Sequence, residues 1–174
     1  MGQVFYHSPS MDKDFTAQEW SDYCKTHSPN ESVRMLDTFA YNINGVCLNP
    51  DITNQFKVGK CEFIVKVSQV FGGWVYGYEV THGTGGASSP CSFTRQTYAT
   101  RTEAARACLM AMQEYIKGQI DWYQAAKAAI EQSRIRADED AHRVRSYQRQ
   151  IDELRTALLT CKAEINDTYQ LTLF

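Results

Sequence analysis

Two alternating runs, Cys61-Glu-Phe-Ile-Val-Lys-Val-Ser68 and Trp74-Val-Tyr-Gly-Tyr-Glu-Val-Thr-His82, decide the fold. In the first, Cys61, Phe63, Val65 and Val67 fall on one face and Glu62, Ile64, Lys66 and Ser68 on the other. That period of two marks a half-buried strand. In the second, Trp74, Tyr76, Tyr78, Val80 and His82 share a face opposite Val75, Gly77, Glu79 and Thr81. Phe71-Gly72-Gly73 supplies the turn between them, because glycine takes positive φ without a steric cost. A Gly-rich loop, His82-Gly-Thr-Gly-Gly-Ala-Ser-Ser-Pro90, leads to a third expected strand over 92–99.

Thr100 and Glu103 then form a capping box, each side chain satisfying a backbone N–H at a helix start. The helix to Lys117 is rich in alanine, leucine and methionine, all strong helix formers. Cys108, Ala111, Met112 and Tyr115 form the stripe expected to lie on the sheet. Residues 56–118 therefore read as a small antiparallel β-β-β-α head in an α+β protein.

On the N-terminal side, 1–55 read as a helical segment. Residues 1–14 are polar and lack periodicity. Thr16 and Glu19 make a capping box, with Phe15 placed to staple onto Trp20. Ser28, Pro29 and Glu31 signal a second helix start, and Val33, Leu36, Phe39 and Ala40 recur at helical spacing. A short strand at Val46-Cys-Leu48 is bracketed by turn signals at Asn44-Gly45 and Asn49-Pro50-Asp51.

On the C-terminal side, 119–174 read as a long helix of coiled-coil type. Ile116, Tyr123, Ile130, Ala137, Val144, Ile151, Leu158 and Ile165 stand at intervals of seven. With Tyr147, Leu154 and Cys161 between them, Val144 to Ile165 make a good apolar seam. A straight helix over 119–166 would be about 70 Å long, beyond what a small domain can cover. The seam needs another copy, a fold-back of the chain on itself, or a different protein. A homo-oligomer through this helix is the primary expectation. The seam is flanked by Arg134, Arg136, Arg143, Arg155 and Lys162, which would disfavour parallel self-pairing and allow an antiparallel arrangement or an acidic partner.

The chain of 174 residues is 43% hydrophobic and 22% charged, with a net charge of −2, which gives no global field towards nucleic acid or membrane. No apolar run approaches the ~18 residues of a membrane span. The N-terminus has neither a basic start nor an apolar core, so a cytoplasmic protein is expected. The six cysteines show no C-x-x-C pair and no histidine at finger spacing, so reduced, apolar thiols are expected and no metal or cofactor.

Three features could carry function. The loop residues His82, Gly83, Thr84, Gly85, Gly86, Ser88 and Ser89 could present N–H groups and hydroxyls to a ligand or partner. No P-loop lysine or following helix accompanies them, and a simple hairpin loop is the plainer reading. The aromatic row Trp74, Tyr76 and Tyr78 is either core or, if exposed, a stacking platform for bases. The stalk arginines would assist the second reading. Catalytic constellations are not evident; Glu79 with His82 is the nearest to an acid–base pair, and a pair does not define an active site.

The run Gly73-Trp-Val-Tyr-Gly-Tyr-Glu79, then Gly85-Gly-Ala-Ser-Ser-Pro90, then Tyr98-Ala-Thr-Arg-Thr-Glu-Ala-Ala105 resembles a small module of bacteriophage and conjugative-element accessory proteins of Bacteroidales type. The resemblance covers about 58–117 and implies a mobile-element accessory protein acting on DNA transactions or host defence in the host cytoplasm. The expectation is a non-enzymatic protein that binds and modulates a host protein such as a defence factor. The alternatives are a nucleic-acid-binding accessory protein, using the aromatic face and stalk arginines, and a small-ligand or nucleotide binder at the Gly-rich loop.

Overall fold

The computed structural model describes residues 4–8, 10–27, 33–83, 85–133 and 137–170, without the side chains of 133, 137–139 and 168–170. The elements are β1 Val4–Ser8, β2 Lys13–Phe15, α1 Ala17–Thr26, β3 Val33–Leu36, β4 Phe39–Tyr41, β5 Asp51–Val58, β6 Cys61–Val70, β7 Gly73–His82, β8 Gly85–Ser89, α2 Arg101–Ser133 and α3 Ala137–Gln170. The class is α+β, with two four-stranded sheets ordered β2-β1-β3-β4 and β5-β6-β7-β8. Their strand pairings are antiparallel.

Both capping boxes form. Thr16 accepts from the Glu19 N–H, and the Glu19 carboxylate accepts from the Thr16 N–H at 2.8 Å. Glu103 and Thr100 repeat the exchange at the start of α2. The alternating runs are β6 and β7, paired from Glu62↔Thr81 to Val70↔Gly73.

The N-terminal segment differs from expectation. Among the described residues it holds one helix, and Val33 to Tyr41, expected to be helical, form the β3–β4 hairpin. Helical spacing at Val33, Leu36 and Phe39 is equally served by a hairpin that turns at Asp37, which takes φ +51°. Tertiary pairing decides: β1 binds β3 from Val4↔Leu36 to His7↔Val33. Leu36, Phe39 and Tyr41 then reach Val70, Val75 and Cys91 on the outer face of the large sheet. The Tyr41 hydroxyl donates to the Gln69 carbonyl. The signals Ser28, Pro29 and Glu31 lie outside the described residues.

The third strand is also displaced. It is Gly85–Ser89 that pairs with β7, while 92–99 is irregular. After Pro90 the chain crosses to the 46–48 segment, where Cys47 N–H donates to Cys91 O at 2.9 Å. Val46 and Cys47 make only single bridges, to Ser92 and Tyr41. An unexpected strand, β5, pairs with β6 around the Gly59-Lys60 turn.

The expected boundary at 118 falls inside α2, which runs through Gly118 to Ser133. The tail is not one long stalk. α3 returns along α2, so that Ile151, Leu154, Ala157 and Cys161 share a core with Leu109, Met112, Ile116, Ile120 and Tyr123. Cys161 Sγ lies 3.2 Å from Leu109 O, while Lys127 Nζ donates to Gln148 Oε1 at 2.8 Å, an antiparallel order. The pair covers the Cys61, Phe63, Val65 and Val67 face of the sheet. α3 also docks on the β5–β6 hairpin: Glu153 accepts from the Lys60 N–H, and Asn54 donates to Glu164 at 2.6 Å. Fold-back is thus the alternative that covers the seam. Burying each such aliphatic side chain contributes about 1.5–3 kcal/mol. Among the described residues no helix is long and apolar enough to cross a membrane.

Candidate docking groove

Residues opposite one another on paired strands point to the same face. The pairings His82↔Gly85, Val80↔Ala87 and Tyr78↔Ser89 therefore place Gly85, Ala87 and Ser89 on the helix-facing side of β8. All three are small. β8 is the last strand of its sheet, with β7 on one side and no described strand on the other. A helix packed over β7 meets no bulk from β8, and a groove is left between them. Its cavity of about 490 Å³ is lined by His82, Gly85, Glu114, Tyr115, Gly118, Gln119, Trp122 and Tyr123.

The helix side contributes rings and a gap. Gly118 sits within a 33-residue helix, and a Cβ there would meet nothing within 4 Å. Its lack of a side chain keeps the groove open at the cost of helix propensity. Trp122 is 56% exposed, stands edge-on to Tyr123 at 4.9 Å and is backed by Tyr147 of α3 at 6.2 Å. Glu114 stands at the mouth, paired with Lys117 at 2.6 Å.

His82 forms the floor. Its Nε2 is 2.8 Å from the Tyr115 hydroxyl, and its Nδ1 is 3.4 Å from that of Tyr123. Burial holds its pKa below the ordinary value of 6.5. A neutral imidazole has one N–H, so it donates to one tyrosine and accepts from the other. Both nitrogens are occupied, and Glu79 is on the opposite face, bound to Lys66. The Glu79–His82 acid–base pair is therefore not formed.

Of the loop residues, the structure brings His82 and Gly85 into the groove. Gly83 takes φ +51° in the turn, Ser88 points to the other face, Ser89 is buried, and Thr84 lies outside the described residues. Gly86 is structural: a Cβ there would stand 2.4 Å from Val80 O. The loop is the edge strand itself, not a flexible connection between strands.

The aromatic row Trp74, Tyr76 and Tyr78 packs half-buried against the main core. It is the flank of a core under α2, not an open stacking platform. In the seam, Ile151, Leu154 and Cys161 are buried, while Val144, Tyr147, Leu158 and Ile165 are half-buried. All but Val144 pack in or against the core shared with α2, and so serve the fold-back of α3, with Ala157 and Gln150 also buried. On the flank, Arg143, Arg155 and Lys162 are exposed, whereas Arg134 and Arg136 lie outside the described residues.

Glu114, Gly118 and Trp122 stand 29, 33 and 37 positions from Gly85, the loop residue they face, so local sequence patterns do not connect them. A glycine inside a helix run and a tryptophan one position off the heptad were the available signals. No family model, curated protein or solved structure matches the chain.

Proposed function

We propose that the chain is a non-enzymatic interaction protein, encoded by a phage or other mobile element, that binds and modulates a host protein such as a defence factor in the host cytoplasm. The partner is held at the groove: an extended segment adds to the free edge of β8 and places a side chain between β8 and α2. The observation that carries this reading is the junction of an open sheet edge with a ring-lined groove. Edge addition supplies main-chain hydrogen bonds, and a pocket beside the edge supplies side-chain selection. Sheet edges are usually guarded by charge, proline or cover. The run Gly85-Gly-Ala-Ser-Ser89 has no charged side chain, and proline appears only after it, at Pro90. The mobile-element part of the proposal rests on the resemblance over 58–117. The fold-back covers the apolar seam within the chain, so docking needs no second copy.

Selection from a displayed library of random linear peptides tests the site. Peptides enriched on the wild type should lose binding to Gly118→Leu, which fills the groove from the helix side. Enrichment of the same peptides on both proteins would place the binding surface elsewhere.

A further inference from the structure

Resting on that docking reading, we infer that the groove selects an arginine side chain from the partner's extended segment. Its lining includes the aromatic residues Tyr115, Trp122 and Tyr123, and the charged residue of that lining is Glu114. Ring faces carry negative potential and attract a cation, and guanidinium is the cation that also stacks as a plane. His82 adds no opposing charge, since burial favours its neutral form. Lys117 pairs with Glu114 across one helical turn, with both side chains largely in solvent at 47% and 72% exposure. Exposed pairs of this kind are weak, so an incoming guanidinium can replace the ammonium at little loss. Bidentate geometry then favours arginine over lysine at the carboxylate.

Gly85 completes the fit. A Cβ there would stand 3.1 Å from the His82 ring, so its absence lets the imidazole lie against β8 as the floor, closed by the His82–Tyr115 contact, and the guanidinium lies above it against the Trp122 ring. The segment's backbone would run along β8 while the arginine turns inward at its Gly85 end.

The test uses the full chain and two blocked tripeptides, acetyl-Ser-Arg-Ser-amide and its citrulline counterpart, which has the same shape without charge. Binding is read from the Trp122 indole N–H and the Gly85 and Gly118 amides by NMR titration. The arginine peptide should shift all three and bind about tenfold more tightly than the citrulline peptide. Glu114→Gln, an exposed substitution, should remove most of that preference, and Trp122→Leu should weaken the arginine peptide alone. Equal binding of the two peptides overturns the inference and leaves docking intact. Absence of shifts at all three positions also overturns it. The docking reading is judged separately, by the loss of selected peptides on Gly118→Leu.

Discussion

Replacing Gly118 should make the protein more stable and less able to bind. Glycine in a helix interior is about 0.8–1.0 kcal/mol less favourable than alanine. A Cβ at 118 meets nothing within 4 Å, so no clash offsets that gain. Gly118→Ala should therefore stabilise by about 1 kcal/mol, which for a chain of 150–250 residues is roughly 2–4 °C in Tm. Leucine has nearly the same propensity and should give a similar increase. Its side chain projects towards the preceding turn, over Glu114 and Tyr115, and fills the groove. Thermal unfolding by circular dichroism gives the first half, and titration with groove-selected peptides gives the second. A fall in Tm for Gly118→Leu would mean that the groove is closed and the glycine is needed for packing. A rise in Tm with undiminished binding would remove the groove from the account.

Leu154→Ala should cost about 2–5 kcal/mol by leaving a cavity between α2 and α3, without changing the mass seen by light scattering. A drop in mass instead would show that Leu154 lies between copies. Stability should decline as pH falls below about 6.5, because the unfolded chain binds a proton on His82 that the folded chain resists. The sign follows from the lowered folded-state pKa: the contribution is full above 6.5 and is lost on acidification. Urea midpoints for wild type and His82→Gln across pH 5–7 check this, and identical slopes would refute it. Of the six thiols, exposed Cys24 should react quickly with a disulfide reagent at pH 8 and the five buried ones only on unfolding. Burial pushes Cys61 and Cys91 up to about 11 and Cys161 up to about 12, so fast release of several thiols would contradict the packing.

Where local chemistry and tertiary packing agreed, the fold was legible. Thr16 with Glu19 and Thr100 with Glu103 announced the starts of α1 and α2, and strict alternation announced β6 and β7. Val33, Leu36, Phe39 and Ala40 misled because the same spacing fits a helix face and a hairpin with a turn between its strands. β5, Asp-Ile-Thr-Asn-Gln-Phe-Lys-Val, hides its pattern because much of it is exposed or half-buried. β8 is built from glycine, alanine and serine, which have no polarity contrast to alternate. The heptad was real, and its partner was α2. A repeat specifies an apolar stripe but not which helix meets it. The groove was half legible: His82 and Gly85 were visible as a loop, while Tyr115, Gly118 and Trp122 reach it only through the crossing of α2 over β7.

Hydrogen–deuterium exchange across Gly85 to Ser89, with and without a groove-selected peptide, tests strand addition at its point of contact. Among the described residues β8 is paired with β7 alone, so its outward N–H groups should exchange freely until another strand covers them. Bound peptide should slow exchange in this segment by about tenfold or more, together with the indole N–H of Trp122. Protection confined to the β1–β4 sheet or to the exposed Arg143–Lys162 flank of α3, with Gly85–Ser89 unchanged, would contradict docking at the β8 edge.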